Sequence, residues 1–291
     1  MVDAHDSKSC SERGESSSLS SGTVFGEYVF VVRSDQKKED VTMSGDCIFV
    51  AYDWPFFGPV QMRIMERLVP HVGGIKFDMT AMHADKLEVN RMTTIAVEAR
   101  EFSRCIGFKR IFADAKLKGN PDAIEKSVRS IASTGAWGFT FHADMPSKSM
   151  TAAVKSRGES LACGVTILTS YSEFDCYQLY GRTRKDMTCY LAAKLRDVGA
   201  NALTCSPRWL LALAEAGHIG YNKLITITPS VRLPHDQKHD HDETMLVADA
   251  IRAGADYLVV GRPIMDATDP VAAAQRYGEA IATARANLAM I

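Results

Sequence analysis

The chain has 291 residues, 46% hydrophobic and 24% charged, with 34 Lys+Arg against 35 Asp+Glu and a formal net charge of −1. That length buries a sizeable core without staples, and the near-average composition excludes wholesale disorder, a collagen-like repeat and a disulfide mini-scaffold. The balanced charge argues against nucleic-acid binding, since no cation excess exists to displace counterions, and no apolar run approaches the ~18 residues of a membrane span.

Residues 1–22 form a compositional zone of their own, in which eight of the first 21 residues are Ser. Such a segment buries too little apolar surface to offset its ordering entropy, which predicts a disordered tail. Asp3, Asp6, Glu12 and Glu15 count against a mitochondrial-type presequence, whereas Ser-richness leaves a plastid-type address open. Residues 23–45 hold a strand-like run, FGEYVFVVR (25–33), and a charged connector, and are expected to flank the main domain.

From residue 46 to 291 short apolar runs alternate with amphipathic stretches. The runs are CIFVAYD (47–53), GGIKFDM (73–79), RIFADAK (110–116), WGFTFHA (137–143), CGVTILTS (163–170), ANALTCS (200–206), KLITITP (223–229) and DYLVVGR (256–262). Helical spacing near 3.6 marks VQMRIMERLV, PDAIEKSVRSIAS, MTCYLAAKLRDVG, WLLALAEAG, ETMLVADAIRAGA and PVAAAQRYGEAIATA. Continuous apolar strands alternating with helices predict a parallel sheet covered by helices, and eight such units match the α/β class and the (β/α)8 TIM barrel. A doubly wound sheet is the alternative, but no GxGxxG follows the first strand. Seven scattered cysteines without CxxC spacing suit buried thiols in a reducing, cytoplasmic setting.

Functional side chains of such a barrel gather at the C-terminal strand ends. Those ends carry Asp53, Lys76, Asp114 with Lys116, His142, Thr169 with Ser170, Ser206, Arg232 beyond the seventh strand, and Gly261 with Arg262. Asp114 and Lys116 are two residues apart, so a regular strand turns both toward one face. A lysine hemmed in by carboxylates can hold a proton and deliver it to a developing carbanion, whereas a structural ion-pair network is the other account of the same charges. Gly261 and Arg262 on the eighth strand lie where barrels often bind phosphate through backbone N–H groups, a helix N-terminus and a basic side chain.

In these motifs the sequence resembles orotidine 5′-monophosphate decarboxylase over roughly residues 46–285. VAYDW (50–54), GGIKFDM, RIFADAKLKGNP (110–121), WGFTFHA, GVTILTS, TCSP, ITPSVRLP and GADYLVVGRPI follow that family's strand motifs in order. The resemblance implies a homodimeric barrel with shared active sites that releases CO2 from a pyrimidine nucleotide without metal or organic cofactor. It implies an Asp53–Lys76–Asp114–Lys116 array with Lys116 protonating the C6 carbanion, Ser170 facing the pyrimidine, and Gly261 and Arg262 holding the 5′-phosphate. Gln237, with Lys238, is the corresponding candidate for a phosphate contact from the loop after the seventh strand.

The chain departs from the family where the signature DxKxxD-[IV] has Gly119 and Asn120. The family's second Asp, lent to the neighbouring subunit, is thus absent, and Asp122 or Asp78 is the geometric candidate to replace it. Asp78 itself stands where the family more usually has Gly. Three functions remain open: decarboxylation of orotidine 5′-monophosphate, a diverged lyase acting on another nucleotide or sugar phosphate, and a non-catalytic nucleotide-binding protein. Retention of both lysines and both aspartates disfavours the last. The stretch HDQKHDHDE (235–243) suits a solvated lid, with a metal site built from His235, His239 and His241 as its rival. His142 is expected to be a hydrogen-bonded interior residue.

Overall fold

A computed structural model describes residues 24–25, 28–29, 44–53, 59–79, 106–236 and 244–290 of the chain. Near the N-terminus two dipeptide strands, β1 (Val24–Phe25) and β2 (Tyr28–Val29), pair antiparallel. The next strands are β3 (Ile48–Tyr52), β4 (Gly74–Asp78), β5 (Ile111–Leu117), β6 (Gly138–His142) and β7 (Leu161–Val165). They are followed by β8 (Ala202–Thr204) and β9 (Ile225–Thr228), a short parallel pair of β10 (Val231–Arg232) and β11 (Met245–Leu246), and β12 (Tyr257–Val260). Strands β3 to β9 and β12 close into a single barrel of parallel neighbours, with β12 between β3 and β9. This closed ring excludes the open doubly wound sheet, and each of the eight apolar runs supplies one barrel strand.

The helices are α1 (Pro59–Leu68), α2 (Pro121–Ser133), α3 (Ser147–Ser156), α4 (Glu173–Tyr180), α5 (Arg184–Asp197), α6 (Leu210–Glu215), α7 (Val247–Arg252), α8 (Arg262–Met265) and α9 (Pro270–Ala289). Local chemistry sets their ends. Asn120 caps α2 by accepting from the Ala123 N–H at 2.9 Å, with Pro121 at the first helical position. Ser172 and Asp175 form a capping box on α4, and Gly181 closes it at φ 65°. Helix α4 escapes the periodicity reading because it has no apolar stripe: Phe174, Tyr177 and Leu179 are exposed and only Cys176 is buried.

Strand alternation divides the apolar core in two. On β3, Ile48, Val50 and Tyr52 face the helices, while Phe49 and Ala51 face the barrel interior with Phe112, Cys163, Ala202, Ile227 and Val259. At the N-terminal end of the barrel Phe49 lies 5.0 Å from the Trp137 ring and 5.7 Å from the rings of Phe112 and Tyr257. This floor requires Gly74, because a Cβ there would come within 2.6 Å of the Phe49 ring and of the Arg110 carbonyl oxygen. Arg110 covers the floor, its guanidinium 5.9 Å from the Trp137 and Tyr257 ring centres and donating to the Asp46 carbonyl at 3.0 Å. Helix α9 packs against α1, α7 and the 3-10 turn Ser44–Cys47, joining the end of the barrel to its start.

Candidate active site

The opposite end of the barrel collects charge. Lys76, on β4 and nearly buried, donates to Asp53 Oδ1 at 3.2 Å and to Asp114 Oδ2 at 3.3 Å. Lys116 donates to the same Asp114 oxygen at 2.8 Å and to Asp78 Oδ2 at 3.0 Å. Thr140, in the middle of β6, completes the coordination of Asp114 by donating to its Oδ1 at 2.7 Å, and its hydroxyl oxygen accepts from the Lys116 N–H at 2.8 Å. The four charged residues expected at the first three strand ends are therefore brought together, with Asp78 as a fifth member.

The route to this geometry differs from the regular strand that the Asp114–Lys116 spacing predicts. The pairing of β5 with β6 slips between Ala113 and Leu117, and Lys116 takes a φ of 44°. A non-glycine residue in that region costs about 1–3 kcal/mol and needs support from its surroundings. Here the Thr140 hydroxyl and the two carboxylates supply it, and the strain falls on the lysine that faces the mouth.

The electrostatics favour the charged forms of Lys76 and Asp114. Burial works against the charge on Lys76, but Asp114, Asp53 and Asp78 outweigh it and hold the ammonium above its ordinary pKa. Burial likewise opposes ionisation of Asp114, and Lys76 and Lys116 overcome it, holding the carboxyl below its ordinary range. Replacing such a cluster with apolar side chains is often neutral or stabilising, so stability alone does not account for it.

A cavity of about 570 Å³ opens beside the array, and its lining includes Asp53 and Lys76 together with Ser230, Arg232, Gly261 and Arg262. Through Asp53 and Lys76 the cavity joins one edge of the array to two arginines, while Asp78, Asp114 and Lys116 stand outside its lining. Arg232 is buried and donates to the Val231 carbonyl at 2.8 Å, and the chain reaches it through Ser230, held at φ 62°. Below the turn, Asp236 accepts from the Leu233 N–H at 2.8 Å and from the Tyr277 hydroxyl of α9, fixing the base of the loop. The N-terminus of α9 is capped from within the chain, because Asp269 Oδ1 accepts from the N–H groups of Val271 and Ala272 at 3.0 and 3.2 Å. Gly261, Arg262 and Arg232 line this end of the cavity.

Other expected residues are less closely drawn in. Strand β7 ends at Val165, which leaves Ser170 exposed in the turn before α4 and outside the cavity lining. Gln237, Lys238, His239 and His241 lie outside the described residues, so the lid and metal readings of that loop do too. Among the described residues no group of three His, Cys, Asp or Glu could hold a metal ion. His142 ends β6 beside Asp144, which accepts from Lys118 at 2.7 Å and from the Tyr180 hydroxyl at 3.0 Å, and burial lowers the imidazole pKa. Gly119 is exposed, and a Cβ built on it would meet only ordinary contacts with Ala123 and Ile124 at 3.8 and 4.0 Å. Asp122 is exposed in the first turn of α2.

Thr140 and Arg232 join the site without having been assigned a role from the sequence, whereas Asp78, one of the two candidates to replace the missing family carboxylate, joins it through Lys116. The period-2 rule that pairs Asp114 with Lys116 also places Asp78 on the face of Lys76, so that signal was available. Arg232 stands at a strand end, but nothing in the sequence separates it from a structural arginine.

The family model described as "Orotidine 5′-phosphate decarboxylase / HUMPS family" matches residues 62–277. An orotidine 5′-phosphate decarboxylase of Rhodopseudomonas palustris is 34% identical over 248 residues, covering 83% of this chain and 96% of the relative. One of Methylobacterium radiotolerans is 33% identical over 236 residues, covering 79% and 94%. Among solved structures, orotidine 5′-phosphate decarboxylase of Lactobacillus acidophilus superposes with a TM-score of 0.63 at 23% identity, covering 80% of this chain and 98% of that one. The Methanocaldococcus jannaschii orotidine 5′-monophosphate decarboxylase, complexed with the inhibitor BMP, superposes with a TM-score of 0.61 at 18% identity, covering 80% and 97%. At those identities the two structures speak for the fold.

Proposed function

The chain belongs to the orotidine 5′-phosphate decarboxylase / HUMPS family, and from that premise we propose that it converts orotidine 5′-monophosphate to uridine 5′-monophosphate and CO2. The observation that carries the reading is the two-lysine, three-carboxylate array beside a cavity that also holds Arg232 and Arg262. Orotidine 5′-monophosphate has the matching layout, with an anionic phosphate at one end and a carboxylated ring at the other.

In this reading Arg262, Arg232 and the backbone around Gly261 hold the 5′-phosphate with Gln237 as a further contact, and Ser170 faces the pyrimidine. Phosphate binding, remote from the reacting bond, aligns the ring over the array. Asp114 cannot swing away from the substrate carboxylate, because three side-chain donors hold its two oxygens. Its repulsion is felt by the carboxylate and vanishes as neutral CO2 departs, while the lysine ammoniums favour the charge left on the ring. The bond between C6 and the carboxyl carbon breaks with its electron pair remaining on C6. Lys116 then transfers a proton from Nζ to C6 and recovers one from solvent. Asp53 and Lys76 complete the charge pattern, and no metal or organic cofactor takes part.

The same reading carries a homodimer with shared sites, which sedimentation velocity measures, and a cytoplasmic location, supported by five free cysteine thiols among the described residues. One observation favours a second reading, a diverged lyase acting on another nucleotide or sugar phosphate: the signature carboxylate is Gly119, at a position whose packing does not demand glycine. The deciding assay is CO2 release from orotidine 5′-monophosphate by the purified chain. No release, with uridine 5′-monophosphate still bound, would remove the first reading.

A further inference from the structure

We propose that Asp78 is a positioning residue for Lys116, fixing from β4 of the same subunit the direction in which the ammonium presents its remaining proton; this rests on the decarboxylase reading above. Asp78 and Asp114 are register partners on adjacent strands, β4 and β5. Two carboxylates placed side by side repel each other unless cations lie between them. Here the cations are present: Lys116 Nζ stands 3.0 Å from Asp78 Oδ2 and 2.8 Å from Asp114 Oδ2, and Lys76 Nζ stands 4.0 and 3.3 Å from the same two oxygens.

An ammonium has three N–H donors on a flexible four-carbon stem. One carboxylate leaves it free to rotate about that contact, whereas two on different strands fix its orientation. Asp114 is shared with Lys76, so Asp78 is the partner that distinguishes Lys116 from its neighbour at hydrogen-bond distance. Among the described residues, the third Lys116 N–H has no protein acceptor, which suits a donor reserved for the substrate carbon. Lys116 and Asp78 are each about one-fifth exposed, at 23% and 21%, so both reach the mouth while Asp114, at 12%, lies deeper. The strained backbone of Lys116, at φ 44°, is a further sign that its placement is set by these contacts.

The test compares wild type with Asp78→Asn and Asp78→Glu in orotidine 5′-monophosphate turnover, with uridine 5′-monophosphate affinity measured by calorimetry and folding by circular dichroism. Misorienting a proton donor by an ångström costs about a hundredfold in rate. Asp78→Asn is expected to lower kcat by about that factor while KM and nucleotide affinity stay within about threefold, and Asp78→Glu to recover about tenfold of the loss. A folded Asp78→Asn with unchanged kcat, or one whose kcat and affinity fall together without recovery in Asp78→Glu, overturns the proposal. Should Asp78→Asn fail to fold, Asp78→Ser takes its place as the neutral variant under the same criteria. An inactive wild type overturns the decarboxylase reading and the proposal with it, which is distinct from an active wild type insensitive to position 78.

Discussion

The two ends of this barrel are built from opposite materials. At the N-terminal end Phe49, Phe112, Trp137 and Tyr257 fill the interior with rings, and one arginine lies over two of them. At the C-terminal end β4 and β5 deliver Lys76, Asp78, Asp114 and Lys116, and Asp53 follows directly on β3. Strand β5 shows the contrast within seven residues: Phe112 belongs to the floor, and Asp114 and Lys116 belong to the mouth. Burying rings stabilises the fold, whereas crowding charges contributes little and holds Lys116 in a strained conformation. One end maintains the barrel and the other uses the rigidity so gained.

Separating the two ends by mutation gives the largest expected effects. Lys116→Ala should lower kcat for orotidine 5′-monophosphate at least about a thousandfold, the range lost with a general acid, in a protein that still folds by circular dichroism. Phe49→Ala should do the reverse. Truncating a fully buried ring is expected to cost about 3–5 kcal/mol in urea unfolding, with the activity of the molecules that remain folded changed only a few-fold. Loss of activity in Phe49→Ala at full stability would break the division between the two ends.

Arg262→Ala tests the phosphate side of the mouth. Hydrogen bonds to charged groups contribute about 1.5–3 kcal/mol, so affinity for uridine 5′-monophosphate should fall by about one to two orders of magnitude. The effect should vanish for uridine, which lacks the phosphate. Equal losses for nucleotide and nucleoside would move the anion site elsewhere.

The smallest effect concerns pH. Asp114 is held below its ordinary pKa against burial by Lys76 and Lys116, so its contribution is present above about pH 4 and lost as pH falls further. His142 and His218 behave differently, because burial lowers both imidazoles. Between their folded pKa values and about pH 6.5 the unfolded chain binds more protons, so stability falls as the solution is acidified through that window. Urea midpoints measured from pH 7.5 to 5 should decline, and His142→Asn together with His218→Asn should flatten the decline. An unchanged slope in the double variant would contradict the assignment.

The sequence carried the barrel well because strand and helix periodicity repeat over eight units, and every apolar run is anchored by buried residues such as Phe49, Ile75 and Val259. It carried Asp53, Lys76 and Asp114 because strand ends place side chains directly, and it carried the pairing of Lys116 with Asp114 but not the irregular strand that brings it about. It did not carry what depends on departures from regular strands. The slip between Ala113 and Leu117, the Thr140 hydroxyl joining Asp114 to the Lys116 backbone, and the Ser230 turn that leads to Arg232 leave no periodic mark. Helix α4 stayed hidden for a related reason, since its apolar residues are distributed around the helix.

The most direct measurement is turnover of orotidine 5′-monophosphate in D2O, followed by NMR of the product. Wild type should form uridine 5′-monophosphate carrying one deuteron at C6, and Lys116→Ala should form it at least about a thousandfold more slowly, because the exchangeable Lys116 ammonium supplies that position. Uridine 5′-monophosphate formed at an undiminished rate by Lys116→Ala, or no product from a wild-type chain that binds the nucleotide, would contradict it.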